Sequence, residues 1–555
     1  MKKSILYFII LLVSSTVFGQ IISFSDPVFK SKLLQSSPTN FIAQNQSGNY
    51  FAIDANANNQ IEVSEALAVS SLEISNSSIN SLDGISSFTN LTTLNCDSNN
   101  LSSLNCTNLS NLINLNCSNN QLATLNLNGL IYLKILNCSF NQLSNLNVHS
   151  LTNLMSLNCS TNNLSNLNLN NLAFLENVIC ANNILSAISL VNLDNILFLD
   201  CSYNQIAAID TSDVYNIKTF YCNSNVLTSL SLDGLINLEN LNCSNNQLVT
   251  LTLTNLISLL DINCNVNQLN AINFINVPNL KNLSCTNNLL TTLYLNSLTN
   301  LLDLNCSNNL ISLLEVYNST NLLSLNCNAN QLSYIIIDNL TNLKYLYCNN
   351  NLFTSIDVSN LSSLIVLSCN QNHLTSLNIG TSSIIQTIYC SDNLLTNLDL
   401  HHLSHLTSLF CSNNLLVSIL IQNGSFEENL VISGNPSLNY ICADGSEIEF
   451  VNQILVFYNI QNCTVDTLCN LESQHFEEPV AVKLYPNPVS DKLYIQVVNV
   501  DEVNSIQIFN SLGQLVQTIF NSSEAAVDVN NFQSGVYFIK IDTQKGIYSN
   551  KFVKN

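Results

Sequence analysis

The chain has 555 residues, of which 46% are hydrophobic and only 9% charged, a balance that excludes a disordered chain. Its cations are all lysine, 14 against 36 acids, and the net charge is −22. Such a charge excludes a binder of duplex nucleic acid, which must neutralise phosphates, and equally excludes docking on an anionic membrane surface.

The first segment reads as an export signal. Lys2 and Lys3 form a basic start, residues 5–13 an apolar run, and Val17-Phe18-Gly19 a cleavage site ahead of Gln20. The run is too short to span a bilayer comfortably and no second one follows. Residues 1–19 are therefore expected to leave the mature chain, with no transmembrane segment remaining. Residues 24–34 read as a short helix. Residues 54–65 (DANANNQIEVSE) fit the calcium loop of an EF-hand, with Asn59 where glycine is usual. Asparagine tolerates the left-handed backbone needed there. Side-chain oxygens of Asp54, Asn56 and Asn58, the Gln60 carbonyl and a bidentate Glu65 form the expected cage for a structural Ca²⁺. The alternative is a polar turn that closes the end of whatever follows.

A strict period comes next. Sixteen cysteines, from Cys96 to Cys411, stand 21 residues apart, and an asparagine follows each by three positions, from Asn99 to Asn414. Each unit reads LxxLxCxxNxLxxLxLxxLxx, with two short alternating stretches that predict strands with apolar side chains inward. Repeats of this length form solenoids, in which each coil buries its apolar layers only against its neighbours. The pattern resembles the leucine-rich repeat, with cysteine in place of the third leucine of LxxLxLxxNxL. The nested second half resembles a short bacterial subtype, and the 22-residue first step resembles the internalin type. The resemblance covers about residues 69–421. It implies a mainly β solenoid of about 16–17 coils over residues 69–436. Residues 20–68 then resemble the N-terminal cap of exported leucine-rich-repeat proteins of gliding and related bacteria.

Two columns follow from chemistry. An inward asparagine supplies two donors and an acceptor on a short arm to backbone groups that no strand partner reaches. The cysteines read as small buried apolar residues. Disulfides between neighbouring coils are disfavoured because the Cβ vectors run parallel, and a straight row of thiols cannot offer a metal a tetrahedron.

After Ile421 the period fails. Turn signals at Asn423-Gly424 and Gly434-Asn435-Pro436 precede an expected amphipathic helix over 447–457, in a cap and linker over 437–478. Cys442 with Cys463 is the expected cap disulfide, although Cys469 leaves the connectivity open. From residue 479 the segments YPNPVSDKL, LGQLV and SGVYFIKI suggest a small β-sandwich. They resemble the type A C-terminal sorting domain of type IX secretion in Bacteroidetes. That resemblance implies passage through the periplasm and the outer membrane by the type IX machinery, and a final place on the outer surface or in the medium.

The strand around each cysteine is expected to expose three positions, mostly Asn, Ser or Thr. Rings appear there at Tyr345, Tyr347, Tyr389 and Phe410, with Phe198 and Tyr221 further away. Aromatics beside amides suit a sugar or a peptide chain. His401, His402 and His405 suggest a metal by type, but they fall at a coil corner without acids or inward geometry and read as solvated. No paired acids, nucleophile–base set or phosphate loop suggests an enzyme. The expectation is thus a secreted or surface-bound monomeric protein that recognises a protein or glycan, in binding or adhesion; the alternative is a coat or matrix protein without a specific ligand.

Overall fold

The computed structural model describes residues 19–380, 384–469, 481–498, 503–511, 513–520, 524–543 and 546–555. The expected signal segment falls outside the described residues except for Gly19, as does most of the linker ahead of the sorting domain. The chain divides into two compact units, Met1–Thr467 and Leu468–Asn555.

The first unit is the solenoid. Among the described residues it carries a 19-stranded sheet. Ala43–Asn45 pairs antiparallel with Val69–Glu73, and from there each strand pairs parallel with that of the preceding coil, as far as Asn429–Val431. Register is in step with the period: Leu241 faces Ile262, and Ile262 faces Leu283. The second predicted strand of each coil forms only in places, for example Thr250–Thr254 beside Ala271–Ile275. One layer of leucines and cysteines runs through the stack, with Leu241 2% exposed and Cys243 fully buried.

The stack extends beyond the 16–17 coils read from the cysteine column. Ile432 takes the place of cysteine in a further coil, and Asn435 keeps the asparagine role, donating to the Cys411 carbonyl at 3.0 Å. The cysteine marks the slot; any buried residue of suitable shape fills it.

The asparagine column forms an inward ladder. Asn246 donates through Nδ2 to the carbonyls of Cys222 (3.0 Å), Cys243 (3.1 Å) and Ser244 (3.2 Å), and its Oδ1 accepts from the Leu227 N–H at 3.0 Å. Each amide therefore ties its own bend to the coil before it. The residue just ahead of each ladder asparagine is left-handed, from Ser98 (φ 55°) to Asn413 (φ 54°). The pattern did not single out that position, because asparagine fills only seven of its sixteen places and other residues, from serine to phenylalanine, fill the rest. Thr161 (φ 52°) and Val266 (φ 54°) are β-branched there, a conformation that costs such residues energy. The cysteines of the ladder are free thiols, and burial pushes that of Cys159 up to about 12.

Each end of the stack has its own closure. At the N-terminal end, helix Pro27–Leu34 is capped by Asp26. One Asp26 oxygen accepts from Val28 N–H at 2.7 Å, and the other from Asn80 N–H at 2.6 Å and Ser81 N–H at 3.1 Å. Burial works against its charge, but these backbone donors outweigh that and hold its pKa below the ordinary value. At the other end, helix Ile448–Phe457 buries Val451 and Leu455, and strands Tyr440–Cys442 and Thr464–Asp466 continue the second sheet. Cys442 and Cys469 are disulfide-bonded and Cys463 is a free thiol, which corrects the expected pairing of Cys442 with Cys463.

This C-terminal closure holds two fully buried acids, Glu427 and Glu447. The Glu427 N–H donates to Glu447 Oε1 at 2.9 Å, and Asn423 Nδ2 donates to Glu427 Oε1 at 2.7 Å. The remaining oxygen of each carboxyl group is buried without a donor. Burial, and then the neighbouring Glu447 side chain, push Glu427 up to about 8, so Glu427 holds its proton at neutral pH.

The second unit is built from antiparallel strands. Ala481–Tyr485, Lys492–Val498 and Glu524–Asp528 form one sheet; Leu515–Phe520, Val503–Asn510, Gly535–Thr543 and Gly546–Lys554 form the other. Its own core includes Leu493, Ile506, Ile539 and Phe552.

Candidate ligand-binding face

Side chains alternate along each strand of the long sheet, so the residues on either side of the inward leucine face outward. In part of the stack the third position expected on this face turns inward instead. Ser118, Ser139, Ser160, Ser202, Ser244 and Ser307 are buried, and Ser244 Oγ donates to Asn242 Oδ1 at 2.7 Å. The chain already bends there, and a hydroxyl can satisfy the neighbouring amide across the bend. In those coils the face is two columns wide; at Asp97, Asn265, Asn328, Asn349, Asn370, Ser391 and Ser412 the third position stays partly exposed.

A groove of about 510 Å³ lies along this face. Its lining runs from Tyr221 to Tyr347. Register places these two rings in one column, with Asn242, Asn263, Ser284, Asn305 and Asn326 between them. Six coil steps at about 4.8 Å make the groove roughly 29 Å long. The adjacent column contributes Asn240, Asp261, Asn282, Asp303 and Ser324. Asp261 accepts a hydrogen bond from Asn282 Nδ2, and Asp303 is exposed. No lysine lines the groove. At one end Tyr221 meets Phe198 edge to face, with centroids 5.7 Å apart and planes at 82°.

Tyr345 and Tyr347 stand on one strand, on either side of buried Leu346. Tyr347 forms the far end of the groove. Tyr389 and Phe410 stack on each other at 4.6 Å and 18°, with buried Ser368 between them and Tyr347 in the column. The four expected rings thus fall into a groove end and a separate stacked pair. Asp261 and Asp303 were missed in the sequence because each is one acid in a column of amides, and only the groove brings them to notice.

The loop over 54–65 adopts the turn its pattern predicts, with Asn59 left-handed at φ 61°. Asp54 accepts from Asn58 N–H (3.1 Å) and Asn59 N–H (2.8 Å), Asn58 Oδ1 from Gln60 N–H (2.7 Å), and Glu65 Oε1 from Ala55 N–H (2.8 Å). Lys30 Nζ donates to the Gln60 side chain at 2.7 Å, which leaves the backbone carbonyl as the oxygen Gln60 can offer. Glu62, not singled out from sequence, accepts from Asn56 Nδ2 at 3.1 Å and Asn58 Nδ2 at 2.8 Å. With both amide nitrogens held by Glu62, the amide oxygens are left to the loop. The donor set of carboxylate, amide and carbonyl oxygens fits Ca²⁺. Hydrogen bonds from Asn58, then from Glu65, lower the Glu62 pKa; burial raises that of Glu65.

Residues 483–555 match the family described as the secretion system C-terminal sorting domain. Among solved structures, the chain is similar to the functional domain of InlJ from Listeria monocytogenes, described as including a cysteine ladder (TM-score 0.49, 21% identity, 89% of this chain and 93% of that one). It is similar to YopM from Yersinia enterocolitica (TM-score 0.48, 24% identity, 67% and 88%) and to PEPR1–AtPEP1 (TM-score 0.54, 20% identity, 67% and 65%). No curated protein matches the chain. Among the described residues no helix is long and apolar enough to cross a membrane. The first unit thus has the fold of a leucine-rich-repeat solenoid, and residues 483–555 carry a secretion system C-terminal sorting domain, which places the protein outside the cell or on the outer cell surface.

Proposed function

We propose that the mature protein is a non-catalytic binding protein that holds an extended ligand along the groove between Tyr221 and Tyr347. The groove itself carries this reading: rings stand at both ends of a floor of amides. Exposed tyrosines supply contact area at low entropy cost, and amides supply adaptable hydrogen bonds. Asp261 and Asp303, two coils or about 10 Å apart, favour a ligand with positive groups. A protein segment with lysine or arginine side chains meets that demand, and adhesion to such a partner is the corresponding role. A neutral glycan is the competing ligand, since it would use the rings and amides without the acids.

The test is a screen of the mature protein against peptide and glycan arrays, repeated with Tyr221→Ala, Tyr347→Ala and a double variant carrying Asp261→Asn and Asp303→Asn. Loss of more than about tenfold in affinity for each, and weakening by salt, is expected for a basic protein ligand. Binding unchanged by Tyr347→Ala would refute the groove. Glycan binding that ignores the aspartates would refute the charge preference, and no ligand at all would favour a coat protein.

A structural role for Ca²⁺ in the N-terminal cap belongs to the same proposal. Asp54, Asn56, Asn58, the Gln60 carbonyl and Glu65 would hold the ion and so fix the loop beneath the first coil. Calcium at a hundred times its dissociation constant would stabilise the cap by about 2.7 kcal/mol. Calorimetric titration showing no Ca²⁺ uptake, or uptake unaltered by Glu65→Gln, would remove the ion from the cap.

A further inference from the structure

Far from the groove, beside the second strand of a coil, Asn397–Asp399, three ligating side chains come together. The inward residues on either side, Leu400 and Leu403, anchor the corner at 1% and 0% exposure. Between them His401 and His402 cannot both follow the same inward path, so they crowd onto the strand end where Asp399 already stands. One ligating atom from each of Asp399, His401 and His402 lies within 4.8 Å of the others. His401 Nδ1 is 2.5 Å from Asp399 Oδ1, and the two imidazoles meet edge to face with centroids 5.3 Å apart.

His402 is the unusual member. Both of its ring nitrogens are shielded from water, and among the described residues neither reaches hydrogen-bonding geometry with a partner. Such groups are costly unless something binds them. Burial, then the neighbouring His401, lower its pKa against the opposing pull of Asp399 and the Gly380 backbone. Read from sequence, the three histidines of this corner were simply solvated; Asp399 and the environment of His402 change that. His405 is not part of the group, since its Nδ1 contacts Ser404 Oγ at 3.3 Å.

We propose that Asp399, His401 and His402 form a binding site for a divalent transition metal of the zinc type. Two imidazoles and one carboxylate are the protein ligand set of open zinc sites, in which a fourth position stays free. Such a position would take water, or a carboxylate or imidazole from a second molecule. Oxygen-preferring Ca²⁺ would not compete, because two of the three ligands are nitrogen. The site is therefore distinct in chemistry, as well as in place, from the loop at the other end of the stack.

The test is calorimetric titration of the full chain with zinc chloride, in the presence of Ca²⁺ and with Cys463→Ser as background so that the half-exposed thiol is silent. One Zn²⁺ per chain is expected, with affinity falling as the pH drops through the imidazole range. His402→Ala should weaken it at least tenfold, and so should Asp399→Asn combined with His401→Gln. Thermal unfolding of each variant checks that the coil is intact. Cobalt substitution should give the visible absorption of a low-coordinate site in the parent and not in the His402 variant. Absence of Zn²⁺ uptake, or uptake unchanged by both variants, would overturn the proposal.

Discussion

Asn242 and Asn246 are four residues apart in one coil and do opposite work. Asn246 points inward, is 9% exposed and makes four hydrogen bonds that join two coils. Asn242 lines the groove, and its Oδ1 serves only the turn two residues on, at Ser244 N–H (3.1 Å) and Oγ (2.7 Å). In the column of Asn246 every coil from Asn99 to Asn414 has asparagine, whereas in the column of Asn242 the residues include asparagine, serine, aspartate, tyrosine and phenylalanine. The inward position is fixed because no other side chain supplies two donors and an acceptor at that reach. The outward one is free to vary because water satisfies whatever stands there. A residue type thus carries little information by itself in this chain; what informs is whether its column is constant.

That contrast breaks first under Asn246→Ala. Removing the amide leaves buried carbonyls and an N–H without partners, and a loss of about 3 kcal/mol is expected, read as a lower midpoint in chemical unfolding. Asn242→Ala should cost no more than about 0.5 kcal/mol in the same measurement. Equal losses in the two variants would end the distinction between ladder and face.

The C-terminal closure extends the comparison to a buried polar pair that no repeat specifies. Glu427 has a folded pKa raised to about 8, above its unfolded value. The folded state therefore holds a proton that the unfolded state releases, so the stabilisation is complete at low pH and is lost as pH rises towards about 8. Glu427→Gln keeps a donor towards Glu447 without ionising. Its melting temperature, compared with that of the parent, should gain progressively from pH 5 to pH 9. A constant difference across that range would mean that Glu427 holds no proton at neutral pH.

The smallest effect is expected from Val266→Asn. The left-handed backbone there is costly for a β-branched side chain and mild for asparagine, as at Asn245 and Asn287 in the neighbouring coils. A gain of about 1 kcal/mol should appear as a raised unfolding midpoint. A loss would show that packing of the valine, which is partly exposed, outweighs the strain.

The coil was legible in the sequence because its causes are local and repeated. Leucine spacing sets which side chains turn inward, the asparagine column reports the bends, and a period of 21 admits stacking and little else. The sorting domain was legible for a different reason, a set of motifs concentrated in its strands and turns. What only the tertiary structure decided are the features that join residues from different coils. The left-handed position ahead of each asparagine escaped notice since a bend imposes it on any side chain. The last coil was lost because Ile432 replaced the expected cysteine. The groove needed Asp261, Asp303 and two distant tyrosines to be set side by side by register, over 126 residues of chain from Tyr221 to Tyr347. Spacing fixes the direction of a side chain within one coil; which side chains become neighbours between coils depends on stacking, and binding depends on neighbours.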